Sequence, residues 1–184
     1  MREIEIRSAV VAAVRLQHPD PFDTRIVEEF SVCLGEARVD VAAINGCIAG
    51  YEIKSARDNL GRLPRQATLF SQVTDHMTVV CAPKHLPGVR AIVPSWWGLI
   101  VADEGRLQAV RDTRLNPALD LGAMLRLLWR GELLVAARSA GIRGAGHATR
   151  AQLAGRLATE MPEEGVKELV RDALRNRDGW RARQ

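Results

Sequence analysis

The amino-acid sequence predicts an α/β fold followed by an all-helical segment. Three observations predict it. An amphipathic helical pattern begins the chain, strand-like apolar runs separated by one helical stretch fill residues 26–102, and only helical periodicity follows Leu121. The expected order is helix, three strands, helix, two strands and then a helical tail.

The individual elements follow from periodicity and from chain-breaking residues. Within residues 3–17, Ile6, Val10, Val14 and Leu16 fall near one stripe, which is typical of an amphipathic helix. The following HPDP segment, residues 18–21, ends this helix because proline lacks an amide donor and disfavours helix at the preceding residue. Strands are predicted at residues 26–34, 38–44, 47–54, 77–81 and 98–102, a helix at 63–73 and a last helix at 166–175.

Composition excludes several classes of protein. The chain lacks an apolar run of about 18 residues, and charges interrupt the apolar pattern of its N-terminus, so we expect neither a membrane span nor a signal peptide. Cys33, Cys47 and Cys81 are odd in number and lack C-x-x-C spacing, which argues against a disulfide framework and a structural zinc site. These features predict a cytoplasmic protein with reduced thiols.

The net charge of +4 is concentrated towards the end of the chain. Such a basic segment suits a polyanionic partner, although solvated helix faces have a similar composition. Residues 121–158 contain one acid, Glu132, and six arginines: Arg126, Arg130, Arg138, Arg143, Arg150 and Arg156.

Three charged residues interrupt apolar strands in the stretch RVDVAAINGCIAGYEIKS. They are Asp40, Glu52 and Lys54. Charged groups are rarely placed in buried strands without a partner or a metal, because removing them from water is costly. Glu52 and Lys54 project from one face because strands have a period of two. The stretch therefore predicts a functional site.

The register of the Asn45-Gly46 hairpin decides whether Asp40 joins this face. A strict two-residue turn pairs Ile44 with Cys47 and turns Asp40 away from Glu52. A three-residue loop with a left-handed Gly46 in a bulge pairs Ala43 with Cys47, and Asp40 then shares a face with Gly50, Glu52 and Lys54. We predict the bulged loop.

Two carboxylates on neighbouring strands favour Mg²⁺ or Mn²⁺, with the main-chain carbonyl of Ile53 as a further ligand. Such an ion would polarise a phosphodiester and generate hydroxide from bound water. Lys54 would orient that water or stabilise developing charge. Two structural alternatives remain: Asp40 caps a turn, and Glu52 forms an ion pair with Lys54 or Arg38.

The pattern D-x11-E-x-K, from Asp40 to Lys54, resembles the PD-(D/E)XK nuclease superfamily over roughly residues 1–105. The wider stretch is similar to phage and bacterial nuclease-like subfamilies with an E–RxD–G-x-x-x-GYEIKS–D-x-x-x-RL-x-x-Q pattern. The resemblance implies a restriction-endonuclease-like core of order α-β-β-β-α-β, with a mixed sheet flanked by helices. We assign this core to residues 1–115 and a basic helical extension to residues 116–184.

The resemblance also implies further site residues. The glutamate that many members carry in the first helix corresponds to Glu5, with Glu3 as the runner-up. Val39 stands where the superfamily name has proline, which removes no chemical group. The other residues that match the pattern are Glu29 and Gln66 as catalytic candidates, and Asp58 and Arg62 as substrate-binding candidates.

The tail resembles a SAP-type helix–loop–helix DNA-binding module. Two amphipathic helices surround a glycine-rich turn, and Thr149 is placed to cap the second helix. Arg143, His147 and Arg150 would then face phosphates, helped by the N-terminus of that helix. A helical extension packed on the core and a dimerisation element are the alternatives.

These observations predict a nuclease that depends on Mg²⁺ or Mn²⁺ and hydrolyses DNA. The alternative is a catalytically silent nuclease fold that binds nucleic acid or serves assembly. A structural protein with a buried ion-pair network is a third interpretation. DNA is the expected partner, and a homodimer is left open.

Overall fold

The computed structural model describes residues 1–20 and 22–178 of the chain. Within these ranges seven α-helices surround a six-stranded mixed sheet, and the last four helices follow the final strand. The predicted α/β class with a helical C-terminal part is therefore confirmed. Pro21 of the predicted helix stop and residues 179–184 of the predicted extension lie outside the described residues.

The strands follow one another across the sheet in chain order. The first three pair antiparallel, the third, fourth and fifth pair parallel, and the sixth pairs antiparallel with the fifth. Their bounds are β1 Arg25–Val32, β2 Ala37–Ile44, β3 Ile48–Lys54, β4 His76–Cys81, β5 Gly98–Asp103 and β6 Arg106–Arg111. Each of the five predicted strands is present, with ends shifted by at most two residues.

The helices include the three that the sequence placed individually. None of the described helices is both long and apolar enough to span a bilayer. Their bounds are α1 Glu3–Gln17, α2 Leu63–Ser71, α3 Leu86–Ile92, α4 Leu121–Leu125, α5 Arg130–Ser139, α6 Arg150–Glu160 and α7 Glu163–Arg175.

Two elements were not predicted, α3 and β6. Pro87 and Gly88 suggested a broken chain, but Pro87 lies in the first turn of α3, where no amide donor is needed. Strand β6 is a largely exposed edge strand of sequence RLQAVR, so it lacks the apolar run that marks a buried strand.

Two apolar cores lie on opposite faces of the sheet. On one face, α1 packs Ile6, Val10 and Val14 against strand residues such as Val41. The opposite, larger core includes Phe30 and Phe70 and continues through Met124 and Leu174 of the C-terminal helices. The predicted division at residues 115 and 116 falls between β6 and α4, and side chains from both parts share this larger core.

The β2–β3 hairpin has the predicted three-residue loop, but one residue later in the chain. Ile44 pairs with Ile48, so residues 45–47 form the loop, and the predicted pairing of Ala43 with Cys47 is wrong. Gly46 is not left-handed. Asn45 closes the loop instead. Its side-chain Oδ1 accepts a hydrogen bond from the main-chain amide of Cys47, and its own main-chain amide donates to the Cys47 carbonyl. Each paired residue of β2 therefore faces a β3 residue two positions later than predicted, which leaves the predicted alternation of β3 unchanged.

Candidate active site

Asp40 lies where β2 separates from β3. Pairing of the two strands stops at Val41 and Tyr51. Beyond that point Asp40 Oδ2 accepts a hydrogen bond from the main-chain amide of Ile53 at 2.6 Å, in place of a ladder bond. If the register continued, Asp40 would stand opposite Glu52. The separation of the strands therefore brings the Asp40 carboxylate beside the site predicted on β3.

Side chains change faces at Asp40 and at Glu29, which stand opposite each other on β2 and β1. Val39 belongs to the larger core whereas Val41 contacts α1, although strict alternation would place both on one side. Glu29 has a φ of 54°, a left-handed conformation that is strained for a residue with a side chain. Asp40 consequently lies at the break in the pleat. It does not share a regular strand face with Glu52, although the predicted register placed both residues on one face.

Glu52, Lys54 and Gln66 form a closed hydrogen-bonded group. Lys54 Nζ donates to Glu52 Oε1 at 2.7 Å and to Gln66 Oε1 at 3.0 Å, and Gln66 Nε2 donates to Glu52 Oε1 at 2.6 Å. The Glu52 and Lys54 side chains are only 3% and 6% exposed. Gln66 comes from α2, so that helix holds the pair in place. Glu52 Oε2 is buried and has no hydrogen-bond partner within residues 1–20 and 22–178.

The electrostatic environment disfavours ionised carboxylates here. Burial, with a smaller contribution from the charge of Asp40, raises the pKa of Glu52 from 4.5 to about 7. Burial also raises the pKa of Asp40, against the opposing effect of the Ile53 amide. A cation between the two carboxylates would relieve this cost, so the donor set fits a hard divalent ion.

Arg7 on α1 completes the site, and sequence reasoning missed it. Its guanidinium donates to Glu29 Oε1 at 2.5 Å, to Glu3 Oε1 at 2.7 Å and to Asp40 Oδ1 at 3.2 Å. In the sequence, Arg7 reads as part of the solvent face of an amphipathic helix. The one available signal is its spacing of four residues from Glu3, which favours an ion pair but gives no partner on the sheet.

Apart from Arg7, these side chains line a cleft of about 560 Å³. Its interior is acidic and its rim carries arginines, among them Arg65, which the sequence did not single out. Asp58 also lines the cleft, but it accepts 2.7 Å bonds from the amide and hydroxyl of Ser55, which shapes the loop after β3. The lining includes the predicted residues Glu29, Asp40, Glu52, Ile53, Lys54, Asp58, Arg62 and Gln66, with the runner-up Glu3.

Glu5 lies outside this lining. Its two carboxylate oxygens accept 2.8 Å bonds from the amide and guanidinium of Arg2, which caps the start of α1. On α1 the side chain that reaches the cleft is Glu3, so the preference for Glu5 over Glu3 does not match the geometry.

The C-terminal candidates are separate from the cleft lining. Thr149 caps α6 as predicted, accepting from the Gln152 amide at 3.2 Å. Arg150 donates to the carbonyl of Leu128 at 2.9 Å and to that of Arg126, so its guanidinium ties α6 to the end of α4. Arg143 is exposed. Of the two arginines, Arg143 is therefore the more accessible to a phosphate.

A metal ion at this site would depend on few protein ligands. In the described part of the chain, no group of three or more His, Cys, Asp or Glu side chains is arranged to hold one. Asp40 and Glu52 supply two carboxylates, and the remaining ligands would be a main-chain carbonyl, water and substrate oxygens. That is the usual way in which Mg²⁺ is bound.

Together, the fold and the cleft define an α/β protein with a buried carboxylate–lysine–glutamine site. The chain belongs to the bacteriophage P4 protein cII family, which matches residues 1–183. It is 29% identical over 159 residues to protein cII of Enterobacteria phage P4, covering 84% of this chain and 60% of that protein. The chain thus spans less than two thirds of that relative's length. A protein of unknown function from Silicibacter pomeroyi is similar in structure, with a TM-score of 0.43 and 22% identity over 72% of this chain and 88% of that one.

Proposed function

We propose that this chain is a divalent-metal-dependent nuclease that hydrolyses DNA, built on a restriction-endonuclease-like core of the PD-(D/E)XK type. One observation carries the proposal: Glu52 Oε2 is buried and unpartnered in a cleft that also contains Asp40 and Lys54. A buried carboxylate oxygen without a donor is costly unless a proton, a water or a cation satisfies it.

Each residue of the site has a distinct role in the proposed reaction. Asp40 and Glu52 would bind Mg²⁺ or Mn²⁺, which supplies Lewis-acid polarisation of a phosphodiester and lowers the pKa of bound water. Lys54 places a positive charge beside them, where it orients a water and stabilises charge developing on the phosphate. Gln66 holds both Glu52 and Lys54, so the catalytic geometry exists before substrate binds.

The rim of the cleft supports a polyanionic substrate. Arg38, Arg62 and Arg65 surround the acidic interior, and all three are exposed. Guanidinium groups match phosphate geometry, so the rim suits a nucleic-acid backbone while the acids below it suit a cation.

Cleavage assays with matched variants test the proposal. The purified chain is incubated with supercoiled, linear, branched and single-stranded DNA in Mg²⁺ or Mn²⁺. We expect Asp40→Asn and Lys54→Met to lose at least about 100-fold in cleavage rate, whereas Glu28→Gln, an exposed acid beside the site on β1, retains it. Equal cleavage by the wild type, Asp40→Asn and Lys54→Met would refute the assignment.

A second candidate is a silent nuclease fold that binds nucleic acid without cutting it. The contacts of Asp40 favour it, since Oδ1 already binds Arg7 and Oδ2 already binds the Ile53 amide. This candidate predicts DNA binding that is indifferent to divalent ions and to Asp40→Asn. Calorimetric titration with Mn²⁺ separates the two candidates, because the nuclease requires a bound ion and Asp40→Asn should weaken the binding of that ion.

A further inference from the structure

Arg7 gathers three carboxylates from three different elements. Glu3 belongs to α1, Glu29 to β1 and Asp40 to β2, and each bonds to the same guanidinium within 3.2 Å. The Arg7 side chain is 15% exposed and that of Asp40 18% exposed, so the centre of the group is largely removed from water. Without Arg7, the three acids would face one another with Arg38, whose Nε lies 3.6 Å from Glu29 Oε2, as the remaining ion-pair partner in the described part of the chain.

The backbone bears strain to bring these acids together. Glu29 adopts a φ of 54° opposite Asp40, where the pleat of both strands is interrupted. A left-handed residue with a side chain is strained and persists only where its surroundings impose it. Among the three contacts of Arg7, the ion pair with Glu29 is the one that holds this side chain directly.

We propose that Arg7 is a fixed cation that takes the place of a second divalent metal ion beside this cleft, where it contacts three of the lining acids. The inference rests on the proposed function, since it assigns to the site a single exchangeable ion, held between Asp40 and Glu52. The positive charge of Arg7 offsets the negative charges of Glu3, Glu29 and Asp40, which it contacts at Oδ1. The guanidinium stays charged at every accessible pH, so this positive charge is present whatever the concentration of metal.

The geometry explains why the outer acids do not themselves form a metal site. The guanidinium lies between them, with one terminal nitrogen bonded to Glu29 and the other shared by Glu3 and Asp40. No metal-holding group of three acids exists in the described residues. Removing the guanidinium while keeping the side-chain bulk leaves Glu3, Glu29 and Asp40 facing the space it occupied, with Arg38 paired to Glu29 alone among them. Oxygen ligands of that number and type are those that Mn²⁺ binds.

The test counts bound ions by calorimetric titration with Mn²⁺ and by electron paramagnetic resonance of bound Mn²⁺. We expect one ion in the wild type and in Arg7→Lys, which retains the charge. We expect two in Arg7→Met, with the second lost in the double variant Arg7→Met, Glu29→Gln. A stoichiometry in Arg7→Met equal to that of the wild type would overturn the inference.

The outcome also separates this inference from the proposed function. No ion in the wild type but one in Arg7→Met would overturn the nuclease metal site and support the role of Arg7 as a substitute cation. If Arg7→Met unfolds without metal, recovery of its thermal transition by Mn²⁺, and not by an equal ionic strength of NaCl, supports the inference. Failure of Mn²⁺ to recover it would overturn the inference.

Discussion

Glu52→Gln removes the acid of the cleft whose pKa is raised furthest, and we expect it to change how the free energy of unfolding depends on pH. In the folded protein, burial and the charge of Asp40 raise the Glu52 pKa from 4.5 to about 7. The folded state therefore holds this proton more tightly than the unfolded chain does. The stabilising contribution is fully present below pH 4.5 and is lost as the pH rises through about 7.

The magnitude follows from the same values. At about 1.4 kcal/mol per pH unit, the interval from 4.5 to about 7 corresponds to about 3 kcal/mol. The side chain is 3% exposed, so solvent screening reduces this little. In buffer with a metal chelator, the wild type should lose about this much stability relative to Glu52→Gln between about pH 4 and about pH 8.

Urea unfolding at a series of pH values measures the effect as the difference between wild type and Glu52→Gln. Glu28→Gln, an exposed acid on β1, serves as the control and should follow the wild type. Added Mg²⁺ should oppose the loss at high pH, because it binds the ionised carboxylates; at about 100 times its dissociation constant it contributes about 2.7 kcal/mol. A wild-type minus Glu52→Gln difference that stays constant with pH, or that grows as the pH rises, would refute the reasoning.

Two further predictions concern stability. Leu34 has a φ of 61° and is 64% exposed in the β1–β2 connection, so Leu34→Asn should raise the free energy of unfolding by about 1 kcal/mol in urea denaturation, while Leu34→Ala should not. The Asp75 side chain is 1% exposed and bonds to Arg171 of α7 and to the Ile48 amide, so Arg171→Ala should cost about 3 kcal/mol by leaving that charge buried. A thermal transition unchanged in Arg171→Ala would contradict this.

The residues on β3 were predictable because their chemistry conflicts with their surroundings. Glu52 and Lys54 interrupt an apolar strand, and a period of two is enough to place them together. Gln66 entered only through a resemblance, because nothing in a short helix specifies which strand it faces. Asp40 lies beside Glu52, but not in the predicted register, since the hairpin register depended on how Asn45 closes the loop.

The contacts of Arg7 could not be predicted from the sequence. They depend on α1 crossing the sheet near Glu29 and Asp40, which are 22 and 33 residues away along the chain. They also depend on a break in the pleat that local pattern does not reveal, because Glu29 fits a regular alternating strand. Side-chain periodicity describes regular elements, and this site is built where two strands stop being regular.

The balance of charge in the site leaves a place for a cation. Direct contacts of up to 3.2 Å connect four acids, Glu3, Glu29, Asp40 and Glu52, to two bases, Arg7 and Lys54, or to neutral donors. Arg38 Nε also lies 3.6 Å from Glu29 Oε2, so one negative charge remains when all four acids are ionised. The Ile53 amide and Gln66 hold the two inner carboxylates without cancelling their charge. A proton on Glu52 would neutralise the remaining charge, whereas a divalent cation between Asp40 and Glu52 would let both carboxylates stay ionised and leave the arginine rim to face phosphate.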